Sequence, residues 1–323
     1  MANIRFPRKG SMQYWPRKRA KRIYARVRYR NISGLKEAKP VEFAGYKVGM
    51  IHGVVLDNTP TSMTKNEEKV IPLTIIECPP LKIASVRFYK NSSNGLFVAD
   101  EVFVGKDKHL FRKIPKNKKE KSLEEFEKNL NAYADITAIV YTLPHLSGLK
   151  KKTPELFEIK LSGSNQEKFN YLKEKINKEI NIEDVFSEGE LVDIHAITKG
   201  KGFQGAVKRF GIALTQHKSQ KGQRTPGSLG PWNAQVHIQY RVAHAGQLGF
   251  HQRTEYNKLL VKISPANEFK KESGFENYGQ VKSKVLLVKG SVPGSKKRLI
   301  RIIKATRANK KRMEQLNLLK LVM

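Results

Sequence analysis

The chain is poor in cysteine, poor in acid and without any long apolar run. Cys78 is its only cysteine, which excludes an intrachain disulfide and a cysteine-based zinc cluster and agrees with a reducing compartment. No apolar stretch reaches the ~18 residues of a membrane-spanning helix, and the opening MANIRFPRKG lacks the apolar segment of a signal peptide. Acid is scarce overall: 29 Asp and Glu face 62 Lys and Arg, giving a formal charge of +33 over 323 residues. A well-solvated surface of the kind rich in both Lys and Glu would set acids beside its bases. An excess of this size instead calls for a polyanion close by. Apolar residues still make up 39% of the chain, enough for a true core.

The acids are also unevenly withheld. From Arg5 to Arg30 eleven residues are basic and none is acidic. From Ala196 to Thr254 there are nine basic residues and nine glycines, again without an acid. From Lys296 to Met323 ten basic residues accompany Glu314 alone. Residues 106–190 differ, with fifteen acids and seventeen bases, the balance of an ordinary solvent-exposed lobe. Three segments therefore suit phosphate and one suits water. A membrane surface would be met by an amphipathic helix with one apolar face, and neither the start nor the glycine-rich run supplies one.

Catalytic signatures are missing too. Gly200, Gly202 and Gly205 in GKGFQG do not satisfy GxxxxGK[ST]; they have the spacing of GxGxxG, but the helix-opening context that gives that motif its meaning is not read around them. The eight histidines include no HExxH, and His237, His244 and His251, seven apart, lack the Asp or Cys partners of a metal site. No GxSxG occurs, and only Glu255 borders the long acid-free run. The expectation is no enzyme, no metal site and no cofactor. His237, His244 and His251 are read as making single hydrogen bonds to RNA or to backbone.

What is present is β-pattern on both sides of the balanced segment. GYKVGMIHGVVLDN from Gly45 reads as a strand, and KVIPLTIIECPPLKIASVRFY as two more, broken at Pro79 and Pro80, which cannot donate to a ladder. LVDIHAITKG from 191 alternates at the strand period, and KLLVKI, QVKSKVLLVKG and KRLIRIIKAT supply later strands. Such dispersed pieces predict a mostly β fold closed into a barrel. Within 106–190 a small α/β lobe is expected. One helix carries Leu123, Phe126, Leu130 and Tyr133 on a face, with Ser122 as cap and Glu125 three residues on. A second carries Phe169, Leu172 and Ile176, capped by Ser164 or Asn165, and VYTLPHL and LFEIKLS read as short strands.

Between Phe203 and Tyr256 lie about fifty residues of little periodicity, far beyond the ~15 residues of an ordinary connection. Glycines let backbone approach a partner closely, and the missing acids let it lie against phosphate. Such a finger can order as RNA neutralises it. Arg209, Arg224, Arg241 and Arg253 suit forked phosphate contacts or stacking, while Lys199, Lys201, Lys208, Lys218 and Lys221 act as point charges. Arg17, Lys18, Arg19, Lys21 and Arg22 give the N-terminal arm the same character. Gly200, Gly202 and Gly205 are read as permitting close passage at the finger's root, with Phe203 anchoring it. Trp232, in GPWNA, is open to two readings: part of a local core, or inserted among nucleotides.

Across GYKVGMIH, TKGKGFQGAVKRFG and AHAGQLGFHQRTEYNK the chain closely resembles the universal third protein of the large ribosomal subunit, and PRKGSMQYWPRKRAKR is similar to the basic arm of its archaeal and eukaryotic members. The resemblance spans nearly the whole chain and is of the archaeal type. It implies a six-stranded, translation-factor-like β-barrel with an inserted α/β lobe and long basic extensions. The divisions expected are an arm at 1–40, barrel at 41–105, lobe at 106–190, a barrel strand and finger root at 191–202, finger at 203–256, barrel at 257–305 and a basic tail at 306–323. The resemblance implies a cytoplasmic structural protein that binds 23S-type rRNA near its 3′ end, nucleates subunit assembly and extends its finger toward the peptidyl transferase centre, with Trp232 at the tip. Neighbours similar to the fourteenth universal large-subunit protein and to the L24e-type small basic protein follow from it, with Mg2+ entering only through the RNA and no homo-oligomer. Eukaryotic relatives carry a methylated histidine about twelve residues before that tryptophan; Gln220 stands there, so the modification is not expected. A free-standing RNA chaperone is the alternative.

Overall fold

The computed structural model describes residues 15–28, 38–115, 122–219, 222–230, 242–269, 271–308 and 316–322. They form two compact units, Met1–Ile23 with Ile197–Arg253, and Tyr24–Ala196 with Thr254–Met323. The strands are β1 (Glu42–Asp57), β2 (Glu68–Glu77), β3 (Leu81–Ser92), β4 (Gly95–Phe103), β5 (Asp135–Thr142), β6 (Leu156–Lys160), β7 (Leu191–Ile197), β8 (Phe203–Gln204), β9 (Gly246–Gln247), β10 (Gln252–Ser264), β11 (Val285–Lys289), β12 (Leu299–Lys304) and β13 (Leu316–Val322). The helices are short: α1 (Glu124–Glu127), α2 (Asn165–Lys175) and α3 (Ala206–Phe210).

The larger unit holds a seven-stranded sheet in the order β12-β7-β10-β11-β2-β1-β13, with β1 also paired to β12. The closed six-stranded barrel expected from the sequence is thereby corrected, because a seventh strand takes part and ends the sheet. At sixteen residues β1 is long enough to divide one edge between two partners. Glu42–Tyr46 pair with Leu299–Ile303 of β12, and His52–Asp57 pair with Leu316–Val322 of β13. β13 is LNLLKLV, inside the stretch that its charge marked as a basic tail. The lobe also begins earlier than residue 106. β3 and β4 belong to a second, four-stranded sheet in the order β4-β3-β5-β6. The reason lies at Pro79 and Pro80, which have no N–H to continue the first ladder. Cys78 makes the last contact there, donating its N–H to the Lys284 carbonyl at 2.7 Å, and the chain then leaves to start the other sheet.

The apolar strands fill one continuous core that includes Phe43, Val48, Leu73, Ile75, Phe88, Ile136, Val192, Leu260, Leu287 and Ile302. Gly45 is required by close packing: a Cβ there would stand 2.6 Å from the Cys78 Sγ and 2.8 Å from the Glu77 carbonyl. Glu77 is fully buried and has its carboxylate satisfied by donors. The N–H groups of Gly148, Lys282 and Ser283 donate at 3.1, 2.7 and 2.9 Å, and the hydroxyls of Ser283 and Tyr278 complete the set. These donors lie in segments far apart in sequence, so one carboxylate ties the end of β2 to two loops. Burial and the Glu77 charge push the Tyr278 hydroxyl well above the usual tyrosine range, so it stays protonated and donates.

The lobe's helices differ in how well the sequence specified them. α2 begins at Ser164 with a reciprocal capping box: the Glu167 N–H donates to Ser164 Oγ at 3.4 Å, and the Ser164 N–H donates to Glu167 Oε2 at 2.9 Å. Where one longer helix was expected, α1 has a single turn and a 3-10 turn follows at Leu130–Ala132. Ser122 bonds the Glu125 carboxylate at 3.0 Å instead of capping, and the N-cap is Leu123, which has no side-chain acceptor to offer. Phe126, Leu130 and Tyr133 are nonetheless buried, and Phe88 stacks on Phe126 with centroids 4.9 Å apart.

His195 on β7 gives this unit a pH dependence. Burial, followed by the charge of Arg301 opposite it in the ladder, pushes its imidazole down to about 4, against a smaller opposing pull from Asp193. Between pH 6.5 and 4 the unfolded chain takes up a proton that the folded chain refuses, so stability is complete above that window and is lost as pH falls through it. From pH 7.5 to 5.0 the wild type is expected to lose about 2 kcal/mol more than His195→Gln, since below pH 6.5 each tenfold rise in proton concentration favours the unfolded chain by ~1.4 kcal/mol. Urea midpoints at the two pH values measure this, and parallel losses would show that the folded chain protonates His195 in that window as readily as the unfolded chain does.

Candidate nucleic-acid interface

The smaller unit is assembled with little apolar core. Its buried hydrophobic side chains among the described residues are Ile197, Ala206 and Phe210. Cations and backbone take the place of apolar packing. The Arg17 guanidinium stands 4.2 Å over the Phe210 ring, with Arg209 at 5.2 Å and the Trp15 ring centroid at 5.9 Å. A guanidinium over an aromatic face is held by the ring quadrupole as well as by contact. Arg17 Nη1 then donates to the Arg209 carbonyl at 2.8 Å, which joins arm to α3. Arg209 donates from Nε to the Gln247 carbonyl at 3.1 Å and from Nη1 to the His244 carbonyl at 3.0 Å, joining α3 to the chain returning from the finger.

His251 closes the same root. It is only 5% exposed, and its Nδ1 lies 2.8 Å from the Lys18 carbonyl, which can only accept, so Nδ1 carries the proton and donates. Its own N–H donates to Thr198 Oγ1 at 3.1 Å, and the Ala20 N–H donates to the Phe250 carbonyl at 2.8 Å. Burial lowers the imidazole's pKa, the Lys18 carbonyl opposing and the charges of Arg253, Arg17 and Arg209 adding to it, which favours a neutral ring. Gly249 beside it has φ +70°, and a Cβ there would strike the Lys199 carbonyl oxygen. β8 and β9 pair as a two-residue ribbon, Phe203 opposite Gln247 and Gln204 opposite Gly246.

The residues singled out from the sequence thus divide by surroundings. Lys18, Arg19, Lys21, Arg22, Lys199, Lys201, Lys208, Lys218 and Arg224 are exposed. Arg17, Arg209, His244 and Arg253 are partly covered, and the first two hold protein carbonyls. Gly200 has only Phe250 near its α-carbon, at 3.5 Å from where a Cβ would stand, while Gly202 and Gly205 have open space there. Phe203, expected to anchor the root, is instead 76% exposed, because the contact its segment makes is the backbone pairing of β8 with β9. Lys221, Trp232 and Arg241, like Gln220 and His237, lie outside the described residues. The parts of Trp15 and Gly249 in fastening the root were not anticipated, whereas Phe210 is one of the aromatics that the sequence offers either for wedging against bases or for packing the base of the loop. The paired motifs WPRKR and AVKRFG carry aromatic and arginine together, the one local signal for it.

Among the described residues no group of three or more His, Cys, Asp or Glu could hold a metal ion, and no helix is long and apolar enough to cross a membrane. An acid-free unit with exposed cations and a fixed root defines a polyanion-binding chain of structural type. A family model described as ribosomal protein L3 matches residues 1–322, and the chain belongs to that family. It is 42% identical to the large ribosomal subunit protein uL3 of Archaeoglobus fulgidus over 321 residues, 97% of this chain and 95% of the relative. Similar matches are to the large ribosomal subunit protein uL3 of Methanothermobacter thermautotrophicus, 42% identical over 326 residues covering 97% and 96%, and of Pyrobaculum calidifontis, 42% identical over 308 residues covering 92% and 90%.

Proposed function

We propose that this chain works as a non-catalytic scaffold of the large ribosomal subunit, binding rRNA and set among other ribosomal proteins. Membership of the L3 family supports the assignment. The observation that carries it into mechanism is the acid-free smaller unit, whose exposed lysines and arginines are mounted on a root fastened by Arg17, Arg209 and His251. Cations held on such a frame offset the mutual repulsion of RNA strands and let helices approach. Each phosphate neutralised releases condensed counterion, so assembly is driven by many small salt-dependent contributions. The nine exposed cations supply charge, while the covered arginines hold the shape that presents it. RNA chemistry stays with the RNA.

In its finer form the reading places the protein in the cytoplasm, near the 3′ end of 23S-type rRNA, early in assembly. The finger extends toward the peptidyl transferase centre, and neighbours resemble the fourteenth universal large-subunit protein and the L24e-type protein. Mg2+ enters through the RNA, and the chain works as a single copy. Residue by residue, the exposed cations of the smaller unit, with Lys221 and Arg241, are the proposed phosphate contacts, and Trp232 is proposed to sit among nucleotides at the finger's tip. The test is sedimentation of cell lysate through a sucrose gradient before and after a high-salt wash, following this protein by blot. Retention in the large-subunit peak is expected. Its loss on washing would favour an exchangeable RNA chaperone.

A further inference from the structure

We infer that Phe203 is a nucleobase-stacking platform, on which an unpaired base of the bound RNA lies flat; the inference rests on the rRNA-binding reading above. The Phe203 ring is 76% exposed, and since a singly exposed apolar side chain needs no explanation by itself, it is the setting of this ring that carries the inference. Here it is also held fast. The Lys201 N–H donates to the Leu248 carbonyl at 2.9 Å, and the Leu248 N–H donates to the Gly202 carbonyl at 2.8 Å. Gln204 reaches back from Nε2 to the Lys201 carbonyl at 2.8 Å, and Gly249 locks the opposing turn. The ring is therefore presented by a ribbon bonded on both sides of it, and ordering it on binding costs little further entropy.

Its surroundings select the occupant. Gly202 and Gly205, flanking it at one and two residues, leave open space where side chains would stand, so a flat group can approach the ring. Lys199 and Lys201, four and two residues before it, are exposed, as is Lys208 after it, and no acid lies between Ala196 and Thr254. A ring flanked by lysines and glycines matches the combination that binds single-stranded nucleic acid, in which base stacks on aromatic and cations hold the neighbouring phosphates. An apolar protein partner would be served equally well by any large aliphatic side chain and gains nothing from the lysines.

The full chain and Phe203→Tyr, Phe203→Leu and Phe203→Ala are compared for binding to a large-subunit rRNA transcript by filter retention across a salt series. Circular dichroism melts verify that all four fold alike, as the exposure of the ring predicts. Stacking requires that Phe203→Leu and Phe203→Ala both weaken binding roughly tenfold or more, that Phe203→Tyr keeps it, and that the salt slope is unchanged, since no phosphate contact is lost. If Phe203→Leu binds like the wild type while Phe203→Ala fails, the ring packs as bulk and the stacking assignment is wrong. Equal binding by all four likewise overturns it and leaves the rRNA reading intact. A wild type that prefers rRNA no more than a DNA duplex of the same length would instead remove the rRNA reading beneath it.

Discussion

Arg301→Met is expected to lower the melting temperature of the protein by roughly 10 °C, corresponding to the ~3–5 kcal/mol lost when one partner of a buried ion pair is removed. Arg301 on β12 is 4% exposed and Glu42 on β1 is fully buried. Their side chains are paired through Arg301 Nε and Nη2, side by side across the β1–β12 ladder where Ala44 faces Arg301. The guanidinium also donates to the Ala25 carbonyl at 3.2 Å and to the Glu158 carbonyl at 2.7 Å, and it lies 4.6 Å from the Phe157 ring. One side chain thus fastens four segments: β1, β12, β6 of the second sheet and the strap at Ala25. Methionine keeps most of the volume and none of the donors, so Glu42 is left charged and buried. The double variant with Glu42→Met separates the possibilities. Recovery of most of the loss would assign it to the stranded carboxylate. A double variant as unstable as the single one would assign it to the two carbonyls, and the ion pair would then contribute little.

The Arg301 clamp also shows where reading the sequence succeeds and where it stops. KRLIRIIKAT was legible as a strand because Leu299, Ile300, Ile302 and Ile303 are apolar, and β1, β2, β7, β10 and β11 were legible for like reasons. That its arginine would turn inward to meet Glu42, 259 residues earlier, was not, since no local pattern encodes a partner at that separation. The division into two sheets failed at the same level. Pro79 and Pro80 announced a break in the ladder, but a break in one sheet and the birth of another look alike in one dimension. β13 was hidden because a charge count over 306–323 averages LNLLKLV with the lysines and arginines before it. In the smaller unit, composition alone marked the acid-free segments as suited to phosphate. It could not tell Lys201, which faces solvent, from Arg209, whose donors already hold the His244 and Gln247 carbonyls.

That distinction gives the second large effect. Replacing Lys18, Arg19, Lys21 and Arg22 together by glutamine is expected to weaken rRNA binding on the order of a thousandfold at 0.1 M salt and to reduce the slope of log affinity against log salt by about 3, from the ~0.7–0.9 carried by each neutralised phosphate. All four side chains are exposed, and Arg19 stands 5.5 Å from the Phe250 ring, so the melting temperature should fall far less than the affinity. Arg17→Gln, one residue before them, should behave in the opposite way. It removes the cation from the Phe210 ring and the donor from the Arg209 carbonyl, so it loosens the root while taking at most one phosphate from the slope. Lys18 offers a further check, because its carbonyl holds His251 and is retained in the glutamine variant, leaving the arm's seat unchanged. Two numbers therefore decide between charge and scaffold: the salt slope and the melting temperature. A fourfold variant whose slope equals that of the wild type would mean that the arm's cations face something other than phosphate. An Arg17→Gln variant with normal stability and a slope lowered as far as in the fourfold variant would mean that the root is held without the arginine and that the division drawn between presenting and holding residues is wrong.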